Sequence, residues 1–160
     1  MFGFGNLKQA FFYDFNKFFY SKLKKLRSID LTKEEIIKIN ATQVKIYGGN
    51  FVPPYNFLHE ENLDYLLEAV QAEMFGEPLY PEIYQKASIY MFNIVANHIF
   101  QDGNKRTGLQ AAMIFLLMNS HTFMSSVSNE ILIDFTLSVA SGELSLEQTQ
   151  DFFKQNIKPL

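Results

Sequence analysis

The sequence predicts an all-α fold that contains at most one small β-hairpin. Apolar residues recur at helical spacing through most of the chain, and Ser/Thr-x-x-Glu/Gln sequences occur where two of these segments begin. No segment alternates between apolar and polar residues as a half-buried strand does. Hydrophobic residues make up 48% and charged residues 19% of the 160 positions, which is typical of a folded protein and argues against disorder.

The first periodic segment, residues 7–27, predicts an amphipathic basic helix. We expect residues 1–30 to form an N-terminal extension and residues 31–160 to form the main domain. The apolar side of the helix can pack on that domain, dock on a partner protein or lie on an anionic membrane surface. That side contains Phe11, Phe12, Phe15, Phe18, Phe19, Leu23 and Leu26.

Six further helices are expected in the main domain. Capping boxes begin the first and the last of them, at Thr32 and Ser145, and Gly48-Gly49 ends the first. Residues 51–57 form an exposed loop or a short hairpin, whose aromatic side chains either hold a substrate chain or fold back as cover. Leu109–Met118 is almost entirely apolar, so we expect this helix to be central and covered on all sides. The expected ranges are about 32–47, 62–74, 82–98, 105–118, 129–141 and 146–156.

The composition excludes several classes of protein and site. The absence of cysteine excludes disulfides and thiolate metal sites. No run of about eighteen apolar residues and no secretory signal occur, so we expect a cytoplasmic protein with no membrane span. The first thirty residues carry six Lys/Arg against two Asp, net +4, which leaves −7 on the rest of a chain whose total is −3. A net-acidic main domain argues against nucleic acid as a direct partner.

The segment from His98 to Arg106 contains the parts of a nucleotide site. Asn104 is a good N-cap for a helix that begins with Lys105 and Arg106. Because the first turn of a helix has unpaired N–H groups and a partial positive charge, it attracts anions. Gly103 lacks the side chain that would keep a phosphate at a distance. Together with the two cations, this turn is expected to hold phosphate groups.

Three residues around this turn predict the chemistry. His98 can take the proton from an attacking hydroxyl, although a histidine at the end of an apolar stripe can also be a buried structural residue. Asp102 fits a magnesium ion that bridges phosphates, since Mg²⁺ prefers one or two carboxylates together with phosphate oxygens and water. Phe100 is expected to anchor the loop in the core. The segment therefore predicts an enzyme.

The sequence His-x-Phe-x-Asp-Gly-Asn-Lys-Arg-Thr at His98–Thr107 resembles the signature of the Fic/Doc superfamily, in its Doc (death-on-curing toxin) form. Flanking segments agree in order, among them Tyr47-Gly48-Gly49 and Tyr80-Pro81, and the similarity runs from about Ile36 to Asn156. The resemblance implies a compact helical bundle of the Fic/Doc type, with a motif loop that binds a nucleotide and modifies a hydroxyl on a target protein.

The resemblance also implies roles for the residues of the motif. His98 would be the general base, Asp102 the carboxylate that binds Mg²⁺, and Arg106 the third catalytic residue. The cofactors would be ATP and Mg²⁺. The nucleotide-binding residues would be Phe100, Gly103, Asn104, Lys105, Arg106 and Thr107.

Two departures from the AMP-transferring Fic pattern concern the reaction type. Lys105 stands where that pattern has Gly, and Leu109 stands where it has a second Arg. Both are shared with Doc-like toxins, in which ATP is understood to bind reversed, so that the γ-phosphoryl group is transferred. The Doc resemblance further implies a threonine of elongation factor Tu as target and arrest of translation as the consequence.

Self-inhibited Fic proteins carry Ser/Thr-x-x-x-Glu-Gly/Asn, and the nearest stretch here, Ser126–Ile131, fails at its last position. A chain that does not inhibit itself implies a separate small antitoxin, whose disordered tail would fold into a groove near the active site. Two alternatives remain open at this point. One is a Fic-type AMP transferase, and the other is an inactive Fic-fold protein that binds a partner through its aromatic loop or its N-terminal helix.

Overall fold

The computed structural model describes residues 28–160. The predicted helix 7–27 lies outside the described residues, and the domain boundary near residue 30 remains a prediction. The described part is helical with two short antiparallel strand pairs, so the all-α prediction is confirmed. The helices are α1 (Lys33–Tyr47), α2 (Glu60–Gln71), α3 (Ile83–Ala96), α4 (Asn104–Met118), α5 (Asn129–Ala140) and α6 (Leu146–Asn156). The strands are β1 (Glu73–Met74), β2 (Glu77–Pro78), β3 (His121–Phe123) and β4 (Ile157–Pro159).

The predicted capping boxes are present at both ends of the domain. The Thr32 hydroxyl accepts from the Glu35 N–H at 3.2 Å, and the Glu35 carboxylate accepts from the Thr32 N–H at 2.8 Å. Ser145 and Gln148 form the same reciprocal pair at the start of α6. Gly48 ends α1 with a φ of 78°, a left-handed conformation that favours glycine. These local signals therefore determined where α1 and α6 begin and where α1 ends.

The central helix of the bundle is α3, and not α4 as the sequence suggested. Helix α3 is buried along almost its whole length and packs against α2, α4, α5 and α6. Helix α4 buries one side only, and Leu117 on its other side is 54% exposed. The almost entirely apolar sequence of Leu109–Met118 led to the prediction of burial on all sides. Composition alone does not reveal which apolar side chains the neighbouring helices cover.

Both strand pairs escaped the sequence analysis because two or three residues are too few to show alternation. The hairpin β1–β2 lies at residues 73–78, where the sequence predicted the end of a helix. Helix α2 instead ends at Gln71, and Ala72 accepts a hydrogen bond from the Leu79 N–H at 2.8 Å. Strand β3 pairs with the C-terminal β4.

The aromatic loop at residues 51–57 is a turn and not a hairpin. It contains a cis peptide bond between Pro53 and Pro54. Phe57 forms a single antiparallel bridge with Phe100 and stacks on its ring, with the centroids 5.5 Å apart. This contact joins the loop after α1 to the loop before α4.

Within residues 28–160, no helix has the length and apolar character that crossing a bilayer requires.

The close contact between α3 and α4 depends on Gly108. A Cβ at this position would lie 2.6 Å from Val95 Cγ2 and 3.0 Å from the Met91 carbonyl oxygen. In an unconstrained helix interior, Gly→Ala stabilises by about 1 kcal/mol. Here we expect Gly108→Ala to lower the free energy of unfolding by roughly 1–3 kcal/mol, because the added methyl group over-packs the interface.

Urea unfolding measures this effect, and Val95→Ala provides the control. The double variant Gly108→Ala/Val95→Ala removes the closest clash, so its loss should be clearly smaller than the sum of the two single losses. Additive losses, or a more stable Gly108→Ala variant, would contradict the proposed contact.

Candidate active site

The motif loop, residues 97–103, joins α3 to α4 and is anchored on its buried side. Phe100 is fully buried, as expected of an anchor. The Asn104 side chain accepts from the Phe100 N–H at 2.9 Å and donates to the Phe100 carbonyl at 2.7 Å. The expectation that Asn104 is an N-cap is therefore wrong. Asn104 is the first residue of α4, and its amide closes the loop.

The N-cap of α4 is Gly103, in a left-handed conformation with a φ of 81°. A Cβ here would meet Asn40 Nδ2 at 3.1 Å and Val44 Cγ2 at 3.2 Å, both on α1. The missing side chain therefore lets the turn pack on α1, whereas the sequence analysis assigned it to the approach of a phosphate. No side chain caps α4, and its first intrahelical bond runs from the Thr107 N–H to the Gly103 carbonyl at 2.8 Å.

The Asp102 carboxylate joins two loops. Its Oδ2 accepts from the Asn50 N–H at 2.9 Å, and its Oδ1 accepts from the Gly103 N–H at 2.6 Å. These two bonds, the first contributing most, lower the pKa of Asp102 below its usual range, and Arg106 and Lys105 lower it further. Asp102 is therefore ionised at neutral pH and fixed in position.

The side chain of Arg106, in the first turn of α4, reaches the C-terminal end of α1. Its Nη2 donates to the Gly48 carbonyl at 2.9 Å, and its guanidinium carbon lies 5.7 Å from the centre of the Tyr47 ring. A Cβ at Gly49 would lie 2.6 Å from Asp102 Oδ2 and 3.4 Å from Arg106 Nη2. Only glycine therefore allows this turn to come so close to both side chains.

The remaining predicted residues divide into exposed and buried ones. His98 lies outside α3 with a φ of 47°, and its side chain is exposed and not sealed in the core. Lys105 is also exposed. Thr107 is fully buried, and its hydroxyl accepts from the Asn40 amide at 3.0 Å, so its side chain supports the loop from inside. Its assignment to the nucleotide site remains a prediction.

Two asparagines that were not predicted as site residues, Asn40 and Asn56, contact the buried side of the motif loop. Both are fully buried. A signal for Asn40 was present, because it interrupts the apolar stripe of α1 formed by Ile36, Ile39 and Val44. A polar residue on a buried helix face needs a hydrogen-bond partner, and that partner is here the loop.

The geometry and charges of this arrangement fit the expected anion beside a metal ion. The first N–H groups of α4 have no side-chain cap, and Lys105 and Arg106 follow them directly. The ionised Asp102 accepts one N–H bond at each oxygen and keeps further lone pairs, which fits Mg²⁺ held by one carboxylate, phosphates and water. Residues 28–160 contain no group of three or more His, Asp or Glu that could form an all-protein metal site.

Comparisons with known proteins agree with this description. Residues 30–116, more than half of the chain, match the profile of the Fic/DOC family. The chain is 27% identical over 125 residues to "Protein kinase doc" of Escherichia phage P1, which covers 78% of this chain and 93% of that protein. It is 31% identical over 85 residues to "Toxin Doc" of Mycolicibacterium smegmatis, which covers 53% of this chain and 65% of that protein. The resemblance read from the motif is confirmed.

The pKa of Asp102 gives a testable pH dependence. Because its folded pKa lies below the unfolded one, Asp102 stabilises the fold above the unfolded pKa, and this contribution disappears as the pH falls through the folded pKa. Asp102→Asn should therefore flatten the loss of unfolding free energy between neutral pH and a pH of about 3.

Carboxyl NMR of the protein without nucleotide or metal measures the same pKa directly. Asn50→Ala keeps the backbone N–H and should leave the pKa of Asp102 low, whereas Asn50→Pro removes that donor and should raise it. An ordinary pKa in the unchanged protein would refute the two hydrogen bonds.

Proposed function

Because this chain belongs to the Fic/DOC family, we propose that it is a Doc-like toxin that transfers the γ-phosphoryl group of ATP to a Ser or Thr hydroxyl of a target protein. The observation that carries this proposal is the start of α4. An uncapped helix N-terminus, two adjacent cations and an ionised Asp102 lie together there, and the exposed His98 lies on the same loop.

The proposed reaction assigns one role to each group. His98 accepts the proton of the target hydroxyl. The hydroxyl oxygen forms a bond to the γ-phosphorus, the bond between that phosphorus and the β,γ-bridging oxygen breaks, and ADP leaves with the bond electrons. The N–H groups of α4, Lys105 and Arg106 bind the phosphate oxygens and disperse their negative charge.

Asp102 would hold Mg²⁺ in this proposal. When bound, the ion would neutralise part of the negative charge of the phosphate groups. The contribution of this chain is the carboxylate itself, which the Asn50 and Gly103 N–H groups keep ionised and oriented.

Phosphoryl transfer is preferred to AMP transfer because of two side chains. Lys105 puts a long cation near the start of α4, where AMP-transferring Fic proteins have Gly, and Leu109 replaces their second Arg. A lysine binds a terminal phosphate as a point charge but crowds a phosphate that lies close to the backbone. We infer that Lys105 helps to select the reversed binding of ATP. AMP transfer is the alternative outcome of the experiment below.

The proposed target, by the resemblance to Doc, is a threonine of elongation factor Tu, which implies arrest of translation and action in the cytoplasm. The relative from phage P1 is named a protein kinase and the mycobacterial one a toxin, which supports phosphoryl transfer to a protein and toxicity but does not identify the target.

A separate antitoxin is part of the proposal. The cavity between α1 and α4 has a volume of about 370 Å³ and extends from Leu31 to Gln43, whose carbonyl contacts Arg106. We propose that this cavity receives the tail of the antitoxin. Among its lining residues the apolar Leu31 and Ile39 are buried, and polar ones such as Glu35 and Lys38 are exposed, which suits an amphipathic segment. The lining consists of Leu31, Glu35, Lys38, Ile39, Thr42, Gln43, Gln110 and Ile114.

The reaction is tested by mass spectrometry of purified elongation factor Tu incubated with the protein, ATP and Mg²⁺. We expect the mass of one phosphoryl group to be added at a single threonine. His98→Ala should reduce the rate by about 10²–10⁴-fold, the usual contribution of a general base. His59→Ala and His121→Ala, which change the other two histidines of the chain, should act like the unchanged protein.

Three results would change the assignment. An added AMP group identifies an AMP transferase. Equal activity of His98→Ala removes His98 from the mechanism. Absence of modification, together with equal growth of cells that express the protein or its His98→Ala variant, favours a protein that only binds a partner.

The antitoxin groove is tested with Ile114→Arg, which places a charge among the apolar lining residues of the cavity. The variant should remain toxic, but a small protein encoded beside it that neutralises the unchanged protein should no longer neutralise the variant or co-purify with it. Ile133→Arg, on an exposed face of α5, is the control and should still be neutralised. Neutralisation of both variants would place the antitoxin elsewhere.

A further inference from the structure

Two asparagines form a buried amide pair beneath the motif loop. Asn40 lies on α1, and Asn56 lies in the loop between α1 and α2; both side chains have no exposed surface. The Asn40 Oδ1 accepts from the Asn56 Nδ2 at 3.0 Å. Because a buried amide is costly unless its donors and acceptors are satisfied, the partners of this pair indicate its purpose.

The donors of Asn40 are directed at the motif loop. Its Nδ2 donates to the Asp102 carbonyl at 2.9 Å and to the Thr107 hydroxyl at 3.0 Å. The Asn56 Nδ2 also approaches the Asp102 carbonyl, at 3.4 Å. Neither Nδ2 group donates to the backbone of its own segment, in contrast to Asn93, whose Nδ2 donates to the Ile89 carbonyl within α3.

Asn56 is itself fixed by the backbone on both sides. Its Oδ1 accepts from the Val52 N–H at 2.8 Å, and its backbone carbonyl accepts from the Gln101 N–H at 2.8 Å. The pair therefore links α1, the aromatic loop and the motif loop through one continuous set of hydrogen bonds.

These bonds fix the orientation of one peptide group. The carbonyl and the N–H of a trans peptide point in opposite directions. Because Asn40 holds the Asp102 carbonyl towards the interior, the N–H of Gly103 faces outwards, where Asp102 Oδ1 accepts it at 2.6 Å. The direction of this peptide also sets the direction in which α4 starts, since Gly103 is its N-cap.

We propose that Asn40, supported by Asn56, is a positioning residue of this active site: its amide orients the Asp102–Gly103 peptide, and with it the carboxylate and the helix start that face the nucleotide. This inference rests on the proposed function for its catalytic consequence, but the orientation of the loop does not depend on it. Asn40 acts through Asp102 and Gly103 and does not itself contact ATP or the target.

A role in packing alone would not explain the pair. Ile36, Ile39 and Val44 make the same face of α1 apolar, so an apolar residue would suit position 40 if only the core mattered. Replacement of Asn40 by Leu leaves the Asp102 carbonyl and the Asn56 amide without this partner, which permits the loop to sample other orientations.

The first test is amide hydrogen exchange on the full chain without nucleotide, in Asn40→Leu and in Asn56→Leu. Loss of one buried hydrogen bond should speed exchange of the Gly103 and Asn50 amides by roughly tenfold or more. Val139→Ala, a core substitution on α5, is the control for lower stability. Exchange is compared at temperatures that lie equally far below each variant's midpoint of thermal unfolding. If Val139→Ala speeds exchange at Gly103 equally, Asn40 has only a structural role and the proposal is overturned.

The second test is kinetic. In the phosphorylation assay, Asn40→Leu should lower kcat by about tenfold or more and leave the KM for the target protein unchanged, because the buried amide lies away from any target contact. Unchanged kcat would overturn the proposal.

If the unchanged protein modifies no target, the proposed function fails, while the exchange experiment still decides whether Asn40 orients the loop. Asn56→Leu breaks the bonds of the Asn56 amide to Asn40 and to the Asp102 carbonyl, so it should change exchange and kcat in the same direction and keeps the proposal testable if Asn40→Leu does not fold.

Discussion

The Asp102 carboxylate accepts two backbone hydrogen bonds on which the rest of the site depends. One donor, Asn50, belongs to the segment that follows α1, and the other, Gly103, is the N-cap of α4. A single carboxylate therefore brings together two loops that lie about fifty residues apart in sequence. It can do so only because Gly49 has no side chain, since a Cβ there would overlap Asp102 Oδ2. Both backbone donors favour the ionised form, so the group that ties the loops is also the group suited to a metal ion.

The charged groups that the structure describes next to this carboxylate do not form an ion pair with it. Arg106 follows Asp102 by one helical turn, but its guanidinium donates to carbonyls at the end of α1, where the negative end of the helix dipole lies. Asp102 is satisfied by N–H groups, and no ion pair between these two side chains occurs in the described part of the chain. A direct Asp102–Arg106 pair would neutralise both groups, whereas the observed arrangement leaves a carboxylate and a cation side by side, as an Mg²⁺–phosphate complex requires.

Local signals in the sequence predicted much of this fold. The capping boxes at Thr32 and Ser145 and the glycine at position 48 determined helix ends, since these effects involve neighbouring residues only. The motif likewise predicted which residues belong to the loop. Its geometry could not be predicted in the same way, because the Asn50 bond to Asp102 and the α1 side of Gly103 depend on contacts between distant segments. The error at Asn104 has a different, local origin, since its amide bonds the backbone of Phe100, four residues earlier, and this bond competes with capping of the helix.

The missing cap of α4 is informative because of the residues that follow it. Helix α2 also begins without a side-chain cap, but Glu60 and Glu61 in its first turn suit the positive end of the helix dipole, whereas α4 has two cations there. Three other helices begin with a hydroxyl cap. Thr32, Ser128 and Ser145 each accept an N–H bond at the start of α1, α5 and α6. At α4 the cap position is a glycine, and the two residues that could compensate, Asp102 and Asn104, turn their side chains to the N–H of Gly103 and the backbone of Phe100. An unsatisfied helix start costs stability, yet here its dipole is reinforced by two cations. A helix start with cations and no cap favours the proposed binding of a polyanion, because a bound phosphate would supply the acceptors that a cap otherwise provides.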